Sequence, residues 1–168
     1  MFKLRPIEEQ DLKWLLELHN DPEVLKNLTC SIAVSEDAHY RWWESTKHNN
    51  KEKRLIFCND EFDRIGLTKF YSIDQENKNC VLGADIHKDF RGKGLAKPMW
   101  NQMLYYCFDE LSLHRVSLTT AEYNFIAQKV YMHLGFKIEG TQRESLFRDG
   151  KFWDQICMSL TKKQWLAR

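Results

Sequence analysis

A short run near the middle of the chain, Asp85-Ile86-His87-Lys88-Asp89-Phe90-Arg91-Gly92-Lys93-Gly94-Leu95-Ala96, constrains the fold more than any other stretch. An apolar, β-rich segment precedes it and a helical pattern follows it, so a strand must end, turn through two glycines and open a helix. At a helix start the first N–H groups lack partners, and the helix dipole adds positive potential. Gly92 and Gly94 carry no Cβ and let a ligand approach the backbone, while Arg91 and Lys93 supply charge. Pro98 falls in the first turn or so, where its missing N–H sacrifices little. Together these parts make a seat for an anion, best of all a diphosphate. Taken alone, the run reads equally well as a strand-to-helix turn with solvated basic residues. Two other phosphate motifs are excluded. Lys97 stands where Gly-x-Gly-x-x-Gly needs its third glycine, and no Walker A ending is present, so dinucleotide-binding dehydrogenases and P-loop nucleotidases drop out.

Around this run the pattern changes from helical to mixed. Phe2 to Arg5 reads as a strand. From Glu8 to Asn20, Leu12, Leu15, Leu16 and His19 follow the i, i+3, i+4, i+7 stripe of an amphipathic helix. Asp21-Pro22 restarts the chain as a second helix with Val24, Leu25 and Leu28 on one face, and Ser35 caps a third that carries Ala38, Trp42 and Trp43. Arg54–Asn59, Ile65–Ser72 and Cys80–His87 then form three strands of an antiparallel meander. A long helix is expected from Gly94 to Glu110, a strand over Arg115–Ala121 and a helix over Asn124–Leu134. Strands over Lys137–Ser145 and Phe152–Leu160 close the chain, with Asp149-Gly150 as a hairpin signal between them. The expected class is α+β (α/β), in one domain spanning residues 1–168.

Composition narrows the function classes. The chain has 168 residues, and its 25 Lys and Arg against 24 Asp and Glu leave a net charge of +1, which gives no support to a nucleic-acid partner. No apolar run reaches the roughly 18 residues needed to cross a bilayer. Met1 to Pro6 lacks a signal-peptide core, so no membrane partner and a cytoplasmic location are expected. Cys30, Cys58, Cys80, Cys107 and Cys157 stand singly, without a Cys-x-x-Cys, as reduced and mostly buried thiols would. The six histidines show no metal-ligand spacing, so no metal is expected.

Arg91-Gly92-Lys93-Gly94-Leu95-Ala96 resembles the Arg/Gln-x-x-Gly-x-Gly/Ala signature of the GCN5-related N-acetyltransferase (GNAT) family, with Arg91, Gly94 and Ala96 at the signature positions. Downstream, in family order, comes Asn124-x-x-Ala127-x-x-x-Tyr131-x-x-x-Gly135-Phe136. Glu139-Gly140-Thr141-Gln142-Arg143 with Gly150-Lys151-Phe152-Trp153-Asp154 is similar to the ribosomal-protein and spermidine acetyltransferase branch, and Leu4-Arg5-Pro6 also fits. Amino-sugar nucleotide acetyltransferases are similar too. The sequence departs from the family at Lys88-Asp89-Phe90, where Pro-Glu-Tyr is more usual, and at Ala84-Asp85, where larger apolar residues are common.

The resemblance implies a mixed, mostly antiparallel sheet flanked by helices, and transfer of an acetyl group from acetyl-coenzyme A to a primary amine by direct attack. The acceptor would be a nucleotide-linked amino sugar, a polyamine or a protein N-terminus, and a homodimer is compatible with the family. It implies that the amides of Arg91, Gly92, Lys93, Gly94, Leu95 and Ala96 bind the diphosphate, and that the backbone of Ile86 and His87 pairs with the pantetheine arm where neighbouring strands splay at a bulge. Asn124 would cap its own helix and also bond the coenzyme. Tyr131 would be the general acid that protonates the departing thiolate, or else simply a packed core residue. For the general base, Asp85, His87, Glu122 and a water chain stay open. Trp14, Trp42 and Trp43 could line an acceptor cleft or serve as packing. The competing readings are a non-catalytic acyl-coenzyme A sensor and, against the charge balance, a nucleic-acid module.

Overall fold

A computed structural model describes residues 1–28 and 30–168. Seven strands form one sheet: β1 (Phe2–Pro6), β2 (Lys53–Asn59), β3 (Arg64–Asp74), β4 (Asn79–Ile86), β5 (Arg115–Ala121), β6 (Lys137–Arg148) and β7 (Lys151–Thr161). Their order is β1-β2-β3-β4-β5-β7-β6, antiparallel throughout except for β4–β5. The expected meander is β2–β3–β4. Asp149 and Gly150, both at positive φ (52° and 79°), turn β6 back into β7 as the sequence signal required.

Helices cover both faces. On one side α4 (Ala96–Tyr105) and α5 (Phe125–His133) pack on Phe57, Phe70, Leu82, Val116 and Met158, the main core. On the other, α1 (Leu12–His19), α2 (Pro22–Asn27) and α3 (Glu36–Thr46) gather around Leu12, Leu15, Leu18, Val24 and Leu67. Cys58, Cys80 and Cys107 are buried thiols, the last two with sulfurs 3.7 Å apart.

Several boundaries depart from the sequence reading, three of them for a clear local reason. The first helix starts at Leu12 after a 3-10 turn over Glu9–Asp11, because Asp11 is drawn inward. Its carboxylate accepts two hydrogen bonds from the Arg5 guanidinium (2.7 and 2.8 Å) and one from the Glu8 amide (2.8 Å). The long helix starts at Ala96, since Gly94 at φ +72° lies outside helical space, and its last turn widens. Tyr106–Glu110 form a π turn, closed by the Leu111 amide donating to the Tyr106 carbonyl, which lets three successive residues, Tyr106, Cys107 and Phe108, all face the core. A short helix α6 (Lys162–Leu166), absent from the sequence reading, is capped by Thr161 through a capping box with Gln164. Among the described residues no helix is long and apolar enough to cross a membrane.

Candidate active site

The site begins where the sheet opens. β4 and β5 pair only over Asn79–Val81 and Arg115–Ser117, and past the Leu82 amide β4 has lost its neighbour on that side. β5 is held by β7 along its whole length, so it follows the twist of β7 away from β4. No bulge in this part of β4 makes the opening. The irregularity in the β3–β4 ladder lies at the far end, between Tyr71 and Asp74, where Ser72 adopts φ +48°.

β4 stays paired with β3 as far as Ile86, and the His87 amide donates to the Ile65 carbonyl at 2.9 Å. That bond fixes the alternation of the ladder: the amides and carbonyls of Ala84 and Ile86 and the carbonyl of Leu82 face the gap, while the Leu82 amide belongs to the last rung with β5. Of the two backbone positions singled out from the sequence, only Ile86 therefore turns an amide to the opening. The His87 amide is engaged with β3.

The loop beyond β4 is braced rather than loose. Arg91 donates from Nε to the Ile86 carbonyl (2.9 Å) and from its guanidinium to Asp21 (3.0 Å). Asp21 also caps α2 through the amides of Glu23 and Val24, and these donors hold its carboxyl below the usual range despite the opposing pull of burial. Arg91 thus ties the end of β4, the loop and the start of α2 together. Lys93 lies exposed, its ammonium 5.4 Å from the Phe90 ring. Gly92 and Gly94 sit at φ +71° and +72° with open space where a Cβ would stand, so the backbone conformation, not crowding, calls for glycine. Among the described residues, the amides of Gly92, Lys93, Gly94, Leu95 and Ala96 have no acceptor.

A cleft of about 590 Å³ runs through the opening. Thr119, Thr120, Asn124 and Tyr131 line its β5–α5 side. Asn124 caps α5 by accepting from the Ala127 amide (3.2 Å). Tyr131 packs edge-on against Trp100 (4.8 Å between ring centres) and beside Phe136 (6.0 Å), which holds the ring in place while its residue borders the cleft. Burial, and then the negative charge of Asp85, push its phenol well above the ordinary tyrosine range, so it stays protonated.

Across the cleft, β2, β3 and β4 present one face. Arg54 pairs with Lys69 and Lys69 with Gly83, so these positions lie side by side across the sheet, with Asp85 on the same face of β4 two residues beyond Gly83. Lys69 and Asp85 form an ion pair whose side chains are only 8% and 14% exposed. Of the three side chains considered as a base, Asp85 alone lines the cleft. The His87 ring stacks on Trp14 at 5.6 Å, and the Glu122 carboxylate accepts from the Asp154 amide (3.2 Å) on β7.

Two histidines that the sequence reading passed over, His19 and His39, do line the cleft. Burial lowers the pKa of both, and the charge of Lys69 lowers that of His19 further, so both imidazoles are neutral at pH 7. His19 carried no signal of its own, since it completes the amphipathic stripe of α1. Trp42 borders the cleft, whereas Trp14 and Trp43 pack against the α1 cluster. Among the described residues no group of three His, Cys, Asp or Glu is placed to hold a metal ion.

An acetyltransferase (GNAT) domain family model matches residues 2–137. The chain belongs to the GNAT acetyltransferase family. This GNAT protein is 27% identical over 165 residues to the spermidine N(1)-acetyltransferase of Vibrio cholerae, covering 98% of this chain and 95% of that one. It is also 27% identical over 161 residues to the L-amino acid N-acetyltransferase AaaT of Escherichia coli, covering 95% and 97%. A crystal structure of the V. cholerae spermidine N-acetyltransferase in complex with CoA and spermine superposes with a TM-score of 0.94 over 98% of both chains. The mixed sheet with flanking helices is thus the GNAT fold, and the chain is an N-acetyltransferase that moves an acetyl group to an amine.

Proposed function

We propose that this enzyme takes its acetyl group from acetyl-coenzyme A and delivers it to a primary amine of a small molecule by direct attack, with Tyr131 as the general acid. The observation that carries this reading is the continuity of the opening: an unpaired stretch of β4 leads straight into a loop whose amides are unengaged. A diphosphate at the loop would meet the amides of Gly92 to Ala96 and the N-terminus of α4. The pantetheine arm would extend along Ala84 and Ile86 as a substitute strand, using the Ala84 amide and carbonyl and the Ile86 amide, which neither β5 nor Arg91 engages. Asn124 borders the same gap and can bond the arm while it caps α5.

In this arrangement the acceptor enters from the Arg54–Lys69 side. An alkylammonium has a reference pKa near ~10.4 and must lose a proton before it attacks. His19, held neutral in the cleft by burial and by the charge of Lys69, takes that proton and passes it on to solvent. The amine nitrogen attacks the thioester carbonyl, whose oxygen receives a backbone donor from the gap, Ile86 being the best placed. As the intermediate collapses the carbon–sulfur bond breaks, the Tyr131 hydroxyl gives its proton to the thiolate, and the second proton shed by the nitrogen passes through water to restore the phenol. Because the phenol is held above its ordinary pKa, the transfer depends on the thiolate being generated beside it in a shielded site.

The test is twofold. Titration calorimetry with acetyl-coenzyme A should give saturable binding to the folded chain. Thiol release with a panel of polyamines, amino acids, amino-sugar derivatives and peptides should then appear with at least one amine. Binding without release from any amine would replace the enzyme with an acyl-coenzyme A sensor.

A further inference from the structure

We infer that the acceptor of this enzyme is an amine that also bears an anionic group, a carboxylate or a phosphate, and that Arg54 recognises that group. The inference rests on the acetyl-transfer reading and specifies its substrate class. Of the fixed charges that line the cleft, two are positive, Arg54 and Lys69, and one is negative, Asp85. Asp85 is already neutralised by Lys69, and the two cleft histidines are uncharged at pH 7. Arg54 is left in excess.

The guanidinium of Arg54 is held between the rings of Trp42 (4.9 Å) and Tyr71 (5.2 Å), with a side chain only 17% exposed. It makes one ion pair, from one terminal nitrogen to Glu52 at 3.2 Å, and Glu52 is the more exposed partner at 37%. An arginine has five N–H donors in a fixed plane. Among the described residues the others of Arg54 have no acceptor, and the residue borders the cleft. A clamped, planar and under-used guanidinium is the group that binds carboxylate or phosphate in a bidentate fashion. A polyamine carries an ammonium at each nitrogen at neutral pH. It would meet the Arg54 guanidinium here and no unpaired carboxylate.

Thiol release would be measured with two matched pairs, glucosamine 6-phosphate against glucosamine and L-phenylalanine against L-phenylalaninamide, and with spermidine. The anionic member of at least one pair should exceed its neutral counterpart and spermidine at least ~10-fold in kcat/KM. Arg54→Gln should reduce that ratio to under ~3-fold, mainly through KM, and Arg54→Lys should restore part of it, with thermal melts reporting the fold of each variant. The phosphate and carboxylate arms identify which anion is bound. Spermidine or the neutral amines turning over as well as the anionic ones, or a ratio that survives in the Gln variant, would overturn the assignment while leaving acetyl transfer standing. No release with any amine, from a chain that binds acetyl-coenzyme A, would overturn both.

Discussion

Replacing Lys69 by Met tests whether the Lys69–Asp85 pair is held together by the fold or merely sits in solvent. The substitution keeps most of the side-chain volume, including the stem that packs near Gly83, and removes only the charge. Breaking a fully buried ion pair costs about 3–5 kcal/mol, because the surviving charge is left uncompensated. Here the side chains are 8% and 14% exposed and open onto a cleft, so water reaches the orphaned carboxylate and a loss of about 2–3 kcal/mol is expected. For a chain of this length that corresponds to a melting point lower by roughly 5–10 °C. Urea denaturation of the wild type, Lys69→Met, Asp85→Asn and the double variant gives the coupling directly. The double variant should lose at least ~1.5 kcal/mol less than the sum of the singles, since neither charge is then stranded. Losses that simply add, or a Lys69→Met variant within ~0.5 kcal/mol of wild type, would show that the pair is screened and that the cleft floor is not low in dielectric.

Three other expectations follow from the same structure. Tyr131→Phe keeps the ring packing against Trp100 and Phe136 and removes only the hydroxyl, so kcat should fall about 10²-fold while calorimetry shows acetyl-coenzyme A binding within ~3-fold of wild type; full turnover would assign the proton to another donor. With the His19 pKa pushed below the ordinary 6.5, its neutral base form persists to lower pH, so the acid limb of kcat/KM should lie below pH 6.5 and vanish in His19→Asn along with at least ~10-fold in rate; a limb that persists in the variant would belong to another group. Glu139, pushed down to about 2 by bidentate Arg115 contacts (2.7 and 2.6 Å) and by Ser159, is ionised in the fold where the unfolded chain titrates near 4.5, so its contribution is complete above pH 4.5 and lost as pH falls toward 2. Both partners are more than a third exposed, so screening reduces it to about 0.5–1 kcal/mol, and thermal melts of Glu139→Gln and wild type should differ at pH 7 and converge by pH 2–3.

The order of strands and helices, the hairpin at Asp149-Gly150 and the strand–loop–helix around Gly92 and Gly94 were legible in the sequence. Each is a local matter of periodicity, capping and backbone freedom within a few residues. The motif through Asn124 and Tyr131 was equally local, one helix with its cap. The π turn at Tyr106–Glu110 and the shortened first helix were not legible, because the core and the Arg5–Asp11 contact override local preference there.

The charged face of the cleft was decided by tertiary structure alone. Arg54, Lys69 and Asp85 stand far apart in sequence and come together only through the register of three strands, and His19 and His39 reach the cleft from two separate helices. Sequence distance carries no information about such neighbours, and neither does residue type: Asp85, His87 and Glu122 looked alike as carboxylate or imidazole near strand ends. Pairing along β4 then turned Asp85 into the cleft and His87 onto Trp14, and pairing of β5 with β7 set Glu122 beside β7. The chain specifies its glycine loop locally, through backbone conformation, whereas charge in the cleft depends on which side chains the folded sheet places side by side.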